Sequence, residues 1–179
     1  MLKLKIEEVE QYNETTNEFT TTKAQIICLE HSLVSISKWE SRWNKPFLSR
    51  DEKTKEESID YIKCMTITPN VDDSVYETFT EEHMQIINAY IEAEMTATKI
   101  SISPEKPNRE IITSEIIYFW MINYNIPFEC EKWHINRLLT LINVCNIKNR
   151  EQKPMSKADI AKRHADLNAA RRKAFNSKG

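Results

Sequence analysis

The chain has 179 residues, of which 40% are hydrophobic and 29% charged, a composition typical of a globular protein with a buried core. Its only glycine is Gly179, which excludes the glycine-rich phosphate loops of nucleotide-binding enzymes and the nucleophile elbow of α/β-hydrolases. The net charge of −2 is unevenly distributed. Residues 148–179 carry ten basic and three acidic side chains, and residues 1–147 carry 15 and 24, so their net charges are +7 and −9. An acidic body with a basic tail is the main asymmetry.

The cysteines and the apolar segments predict a soluble intracellular protein. The four cysteines lie far apart without a CxxC pair, so reduced thiols are expected at Cys28, Cys64, Cys130 and Cys145. Residues 1–10 are charged and alternating and lack the apolar stretch of a signal peptide. The longest apolar runs, such as residues 116–122, are far shorter than the roughly 18 residues that span a bilayer.

Residues 1–30 are predicted to form a β-hairpin or small meander that packs on the body. Leu2 to Ile6 alternates apolar and charged residues, which is typical of a half-buried strand. A second run from Thr20 to Cys28 is rich in β-branched residues. The polar residues 12–18 between these runs predict a turn.

Residues 31–147 are predicted to form a helical core. The first helix follows Ser32 and ends before Pro46, and its Trp39 and Trp43 lie at i and i+4. We expect Asp51 to be the N-cap of the second helix. Thr80 is the predicted N-cap of a third helix.

Two further core helices are predicted after a loop at residues 96–107. Residues 109–124 are strongly apolar, with Ile112, Ile116, Phe119 and Trp120, and should form the central helix. Pro127 separates it from a last core helix with apolar residues at helical spacing, Trp133, Leu138, Leu141, Ile142 and Cys145.

Residues 148–179 are predicted to form a basic helical arm. Ser156 and Asp159 have the spacing of a capping box, and helix-forming residues follow as far as Phe175. The arm has few apolar positions and buries little by itself. The predicted fold class is therefore α+β: a mostly helical body with an N-terminal β-hairpin and a C-terminal helical arm.

Chemically reactive side chains are present, but their spacing does not favour an enzyme. Cys130 and His134, at i and i+4, could share a metal ion, yet a closed zinc site needs two more ligands and no second pair follows. Glu129 and Glu131 are better explained as acids at a helix start, where the helix dipole favours them, and Glu115 as a solvent-facing or paired residue. We therefore predict no catalytic residue, no metal and no cofactor.

Aromatic and basic side chains are the predicted partner-binding residues. Trp39 and Trp43 fit an interface anchor and a core position equally well, whereas Trp120 and Trp133 are expected in the core. On the arm, the predicted contacts are Leu167, Arg171, Arg172, Lys173 and Phe175. The basic arm could bind nucleic acid through phosphate contacts, but acidic residues interrupt it and only Phe175 could stack on a base, so an acidic protein surface is favoured.

Several segments resemble proteins of tailed bacteriophages, over nearly the whole chain. The first is LEHSLVSISKWES at residues 29–41, followed by KPFL at 45–48. The others are DYIKCMT at 60–66, NREIIT at 108–113, NIPFECEKWH at 125–134 and LNAARR at 167–172. The chain is similar to the tail assembly chaperone family of these phages.

The resemblance implies a non-enzymatic helper in the host cell cytoplasm. Such a chaperone covers the tape-measure protein while the tail tube assembles, so the implied partners are the tape-measure protein and also the tail-tube protein. The arm could pack on the acidic body of a neighbour and give a homo-oligomer. Two alternatives stay open: a structural virion component, such as a minor tail or neck protein, and a nucleic-acid-binding regulator that uses the basic tail.

Overall fold

The computed structural model describes residues 1–13, 18–100, 111–149 and 157–175. The described chain is a mostly helical α+β fold with a small antiparallel ribbon at its N-terminal end, as predicted. It divides into two units, Met1–Cys145 and Asn146–Gly179. The strands are β1 Leu2–Ile6, β2 Val9–Asn13, β3 Glu18–Thr22 and β4 Gln25–Leu29. The helices are α1 Leu33–Trp43, α2 Lys55–Met65, α3 Ser74–Glu77, α4 Glu81–Glu92, α5 Ser114–Asn123, a 3-10 helix at Phe128–Lys132, α6 Ile135–Asn149 and α7 Lys157–Phe175.

The four strands confirm the predicted hairpin. β1 pairs with β4 and β2 with β3, and both pairs are antiparallel. In both, the residue numbers of two facing residues sum to 31, as for Leu2 opposite Leu29 and Val9 opposite Thr22. The register is therefore unchanged across the break between the two pairs. The turn predicted from residue 12 begins too early, because Tyr12 lies in β2 opposite Phe19 with ring centroids 5.0 Å apart. Such a cross-strand aromatic pair favours continued strand pairing over a turn.

The chain that follows β4 is held by hydrogen bonds to two distant segments. The Ile67 N–H donates to the carbonyl of Cys28 (2.8 Å) and the Glu30 N–H to that of Met65 (2.9 Å). On leaving the strand, the carbonyl of His31 accepts from the Ile135 N–H at 2.7 Å. Residues 28–31 therefore lie between the end of α2 and the start of α6.

The capping residues fix where the first helices begin. Ser32 and Thr80 cap α1 and α4, as predicted, each in a reciprocal capping box. The N-cap of α2 is Thr54, so the assignment of Asp51 was wrong. The Thr54 hydroxyl accepts from the Glu57 N–H and the Glu57 carboxylate accepts from the Thr54 N–H, and the two bonds together satisfy two backbone donors at the start of α2.

The central helix is shorter than predicted. α5 begins at Ser114: residues 111–113 are not helical, and residues 109 and 110 lie outside the described part of the chain. Ile112 therefore precedes the helix. The start is set by Glu40 of α1, whose buried carboxylate accepts from the Ser114 N–H at 2.8 Å.

The apolar core of the first unit draws on the β1–β4 ribbon and on α1, α2, α4, α5 and α6. Its fully buried large side chains are Ile6, Ile27, Leu29, Leu33, Ile36, Trp39, Ile62, Met65, Ile87, Ile117, Met121 and Ile135. Each such side chain stabilises the fold by about 1.5–3 kcal/mol relative to exposure. α7, in the second unit, is 19 residues long, and all of its side chains from residue 161 to 173 are exposed. Ser156 of the predicted capping box lies outside the described residues.

Candidate functional site

Trp39 and Trp43 occupy different environments. Trp39 is 1% exposed, and its indole N–H donates to the carbonyl of Glu57 at 2.9 Å. Trp43 is half-buried, stacks on Trp39 with ring centroids 6.2 Å apart, and donates to Asp60 at 3.0 Å. Trp39 is thus a core residue, and of the two only Trp43 has surface that a partner could contact. Trp120 and Trp133 are half-buried and pack against the core.

A continuous series of ring contacts runs from Trp39 into the centre of the first unit. Phe47 lies edge-on to Trp39 and stacks on Tyr61 with centroids 3.9 Å apart. Tyr61 hydrogen-bonds to Nδ1 of His31, and the His31 ring lies 5.0 Å from that of His134. The structure thus places two buried histidines side by side, although 103 positions separate them in the sequence.

Both imidazoles are held in the neutral form. Burial, and secondly the neighbouring His134, lower the pKa of His31 to about 3. Burial also lowers the pKa of His134. Nε2 of His134 donates to the carbonyl of Tyr90 (3.0 Å) and Nδ1 accepts from the Asn136 N–H (3.3 Å), which assigns the neutral tautomer and satisfies both nitrogens. This arrangement is that of a satisfied polar core.

The position of α5 is fixed by one buried carboxylate. Glu40 accepts from the Phe47 N–H and the Ser114 N–H, each at 2.8 Å. Because the carboxylate lies at the first turn of α5, the helix dipole favours its negative charge. The loop after α1 and the start of α5 are therefore both connected to α1 through Glu40.

α5 is apolar on both of its sides. Ile117 and Met121 are fully buried, whereas Phe119 is 62% and Ile122 61% exposed. Phe119, one of the apolar residues from which the central helix is predicted, therefore lies mostly in contact with solvent. Residues 116–122 are all apolar, and a helix that packs one side against a core leaves the other side in contact with solvent.

The exposed side of α5 continues onto the 3-10 helix. Phe128 is 56% exposed and its ring lies 6.4 Å from that of Tyr118. The Tyr118 hydroxyl donates to Glu131 at 2.9 Å, which fixes the two helices together. We define the α5 outer face as Tyr118, Phe119, Ile122 and Phe128.

Three glutamates border the α5 outer face. Glu115 lies one turn before Phe119, and Glu129 and Glu131 lie within the 3-10 helix, after Phe128. Hydrogen bonds from its own N–H and from the Thr113 side chain lower the pKa of Glu115, so this residue is charged at neutral pH. Residues 114–132 include these three acids and one basic side chain, Lys132 at the end of the 3-10 helix, so their net charge is −2. The result is an apolar surface with a negative rim.

The predicted contacts of the arm lie on α7. Leu167 is 47% exposed, and Arg171, Arg172 and Lys173 are exposed. The side chain of Phe175 lies outside the described residues. The α5 outer face was not among the predicted partner-binding residues. The apolar run at 116–122 is the sequence signal that points to it, because such a run exceeds the width of one buried helix side.

The side chains weighed for metal binding or acid–base chemistry lie in separate places. Cys130 belongs to the 3-10 helix and His134 to the residues just before α6, so the two do not lie on one helix face as the spacing predicted. Glu115 is exposed, and Glu131 accepts from Tyr118. In the described part of the chain, no three histidines, cysteines or acidic residues are grouped so that they could hold a metal ion.

Comparison of this chain with known protein families, with curated proteins and with solved structures gave no match. Among the described residues, every helix is too short or too polar to cross a bilayer. The features that bear on function are therefore the α5 outer face, α7 and the sequence segments that resemble phage proteins.

Proposed function

We propose that this protein is a tail assembly chaperone of a tailed bacteriophage, without enzymatic activity, which binds the tape-measure protein in the host cytoplasm. The observation that carries the proposal is the α5 outer face. Phe119, Ile122 and Phe128 are more than half exposed on one short stretch of chain. Apolar patches of this kind mark interaction sites on soluble proteins.

The chemistry of the α5 outer face fits a helical client. A tape-measure protein is a long helical chain whose apolar side chains are uncovered until the tail tube surrounds it. An amphipathic helix packs its apolar residues into such a surface and keeps its polar residues at the rim. The rim glutamates exclude partners with acidic flanks and favour a segment that carries lysine or arginine beside its apolar residues.

Hydrogen bonds hold the backbone beneath the α5 outer face in place, which suits a surface that binds and releases a client repeatedly. Glu40 holds the start of α5 and Tyr118 connects it to Glu131, so the backbone under the surface is fixed before a client arrives. A preformed surface loses less conformational entropy on binding than a disordered one. On the α5 outer face, the exposed side chains of Phe119, Ile122 and Phe128 supply contact area without a covalent or catalytic step.

Co-expression with the tape-measure protein of the same phage tests the proposal. We expect the tagged wild-type chain to co-purify with the tape-measure protein and to increase its soluble fraction. Phe119→Asp and Ile122→Asp place a charge on the α5 outer face and should abolish both effects. Because these side chains are exposed, the variants should keep the helical content and the unfolding midpoint of the wild type.

Ile86→Asp is the matched control, because Ile86 is an exposed isoleucine on α4 of the same unit. It should leave co-purification unchanged. Equal loss in the control and the α5 variants would contradict the assigned surface. If mature virions contain the protein at a fixed copy number, the chaperone proposal is wrong and a structural virion component replaces it. Recovery that nuclease treatment abolishes would instead indicate nucleic-acid binding.

A further inference from the structure

α7 is a helix whose described side chains have no packing surface of their own. Its residues 161–173 are all exposed, over a helix of 19 residues. Isolated helices of this length are marginally stable in water even when alanine-rich, and most helices depend on packing of an apolar side. α7 therefore gains stability from any surface that covers Leu167.

The side of α7 around Leu167 is apolar and basic. Ala170 and Arg171 lie three and four positions after Leu167, so the three side chains share one side of the helix. Arg172 and Lys173 follow directly. Within residues 157–175 there are six basic and two acidic side chains, which gives a net charge of +4. A partner of α7 should thus be an apolar surface with a negative rim.

The α5 outer face has these properties. Phe119, Ile122 and Phe128 are exposed, and the rim contains Glu115, Glu129 and Glu131 against one basic residue, Lys132, so its net charge is −2. Leu167 next to Arg171 on α7 complements Phe119 next to Glu115 on α5, because each pair is spaced by one helical turn. In both helices an apolar side chain lies one helical turn from a charged one, and the two charges are opposite.

We propose that α7 of one copy docks on the α5 outer face of a second copy, with Leu167 against Phe119 and Ile122 and with Arg171 facing the rim glutamates, while Arg172 and Lys173 add positive charge beside the contact. When the exchange is reciprocal, the contact closes as a symmetric dimer. The dimer covers the apolar surface of both copies before the client is present. This regulatory consequence rests on the proposed function, whereas the self-association itself does not.

The experiment measures the self-association of the full chain by sedimentation equilibrium over the micromolar range. The wild type should show a concentration-dependent dimer that weakens as salt is added, because charges at the rim are screened. Leu167→Asp, and separately the reversal R171E/R172E/K173E, should raise the dissociation constant by about tenfold or more. The reversal E115K/E129K on the other surface should have the same effect.

Mixing the two charge-reversed proteins provides the decisive comparison. Each is mainly monomeric alone, and the equimolar mixture should form a heterodimer because opposite charges face each other at both contacts: one contact is that of the wild type, and the other has both charges reversed. E81K/E92K is the matched control, with the same change of charge on exposed glutamates of α4. It should dimerise as the wild type does.

Three outcomes would overturn the proposal. The first is a wild-type chain that stays monomeric over the whole range. The second is a dimer that the α7 variants disrupt but E115K/E129K does not, since α7 would then bind elsewhere. The third is association that nuclease removes. The triple reversal on α7 should keep binding the tape-measure protein, so failure of the dimer and failure of the chaperone proposal give different results.

Discussion

The two units of the chain contain helices that depend on opposite sources of stability. α1 has 11 residues, a reciprocal capping box and five buried side chains, one of which is Trp39. α7 has 19 residues, and its side chains from 161 to 173 are all exposed. α1 is stabilised by the packing of its apolar side. α7 is stabilised by the preference of alanine, lysine and arginine for the helical backbone.

This difference shows where substitutions should act. In the first unit a single side chain contributes to the stability of the whole unit, because packed residues share neighbours. In the second unit a substitution should change local helicity or partner binding and leave the unfolding of the first unit unaltered. The following predictions test this division, from the largest effect to the smallest.

Trp39→Ala should destabilise the first unit by about 3–5 kcal/mol. The variant leaves a cavity beside Phe47 and Tyr61 and removes the hydrogen bond to the carbonyl of Glu57. Urea unfolding followed by circular dichroism measures the change. Leu167→Ala on α7 is the contrasting variant and should shift the same transition by about 0.5 kcal/mol or less. Similar losses for both would show that the two units do not differ as described.

Lowering the pH should destabilise the first unit through His31. The pKa of His31 is about 3 in the folded protein and 6.5 in its ordinary state, so between these values the unfolded chain binds more protons. The free energy of unfolding therefore falls as the pH decreases from about 6.5 towards 3, by up to about 1.4 kcal/mol per pH unit from this residue.

Urea unfolding at a series of pH values measures this slope. In His31→Gln the slope in the same pH window should be smaller, even if the variant is less stable at neutral pH. His164→Gln, which removes an exposed imidazole on α7, should keep the wild-type slope. An unchanged slope in His31→Gln would mean that other groups control the acid sensitivity.

Much of the fold was predictable because its signals are local. The alternation in β1, and Ser32 and Thr80 ahead of apolar periodic residues, lie within a few positions of the structure they determine. The contacts of Glu40 with Ser114 and of His31 with His134 span 74 and 103 positions, and no local pattern announces them. The exposed side of α5 is hard to predict for a different reason: an apolar run such as 116–122 predicts a central helix but does not show which of its sides is covered, and one helix does not pack all of its sides.

Glu40→Gln should lower the free energy of unfolding by about 1–3 kcal/mol, an effect between those of core and surface substitutions. The amide retains one acceptor oxygen, so one of the two backbone donors, Phe47 N–H or Ser114 N–H, loses its partner in a buried site. Urea unfolding measures the loss, and amide hydrogen exchange should show earlier opening at the start of α5. Gln85→Glu on α4 makes the reverse exchange, amide to carboxylate, at an exposed position and should hardly change the free energy of unfolding.

The smallest expected effect separates the two kinds of helix most directly. Ala89 on α4 and Ala169 on α7 are both exposed alanines within helices, and glycine costs about 1 kcal/mol at such a position. Ala89→Gly should destabilise the first unit by that amount, because α4 packs through Ile87 and Tyr90 and unfolds together with the unit. Ala169→Gly should leave the urea transition unchanged at concentrations where the chain is monomeric, while the helical signal at low temperature decreases. The alanine-to-glycine substitution then reports cooperative unfolding in α4 and local fraying in α7. A shift of the urea transition in Ala169→Gly would instead show that α7 is stabilised by contacts with the first unit.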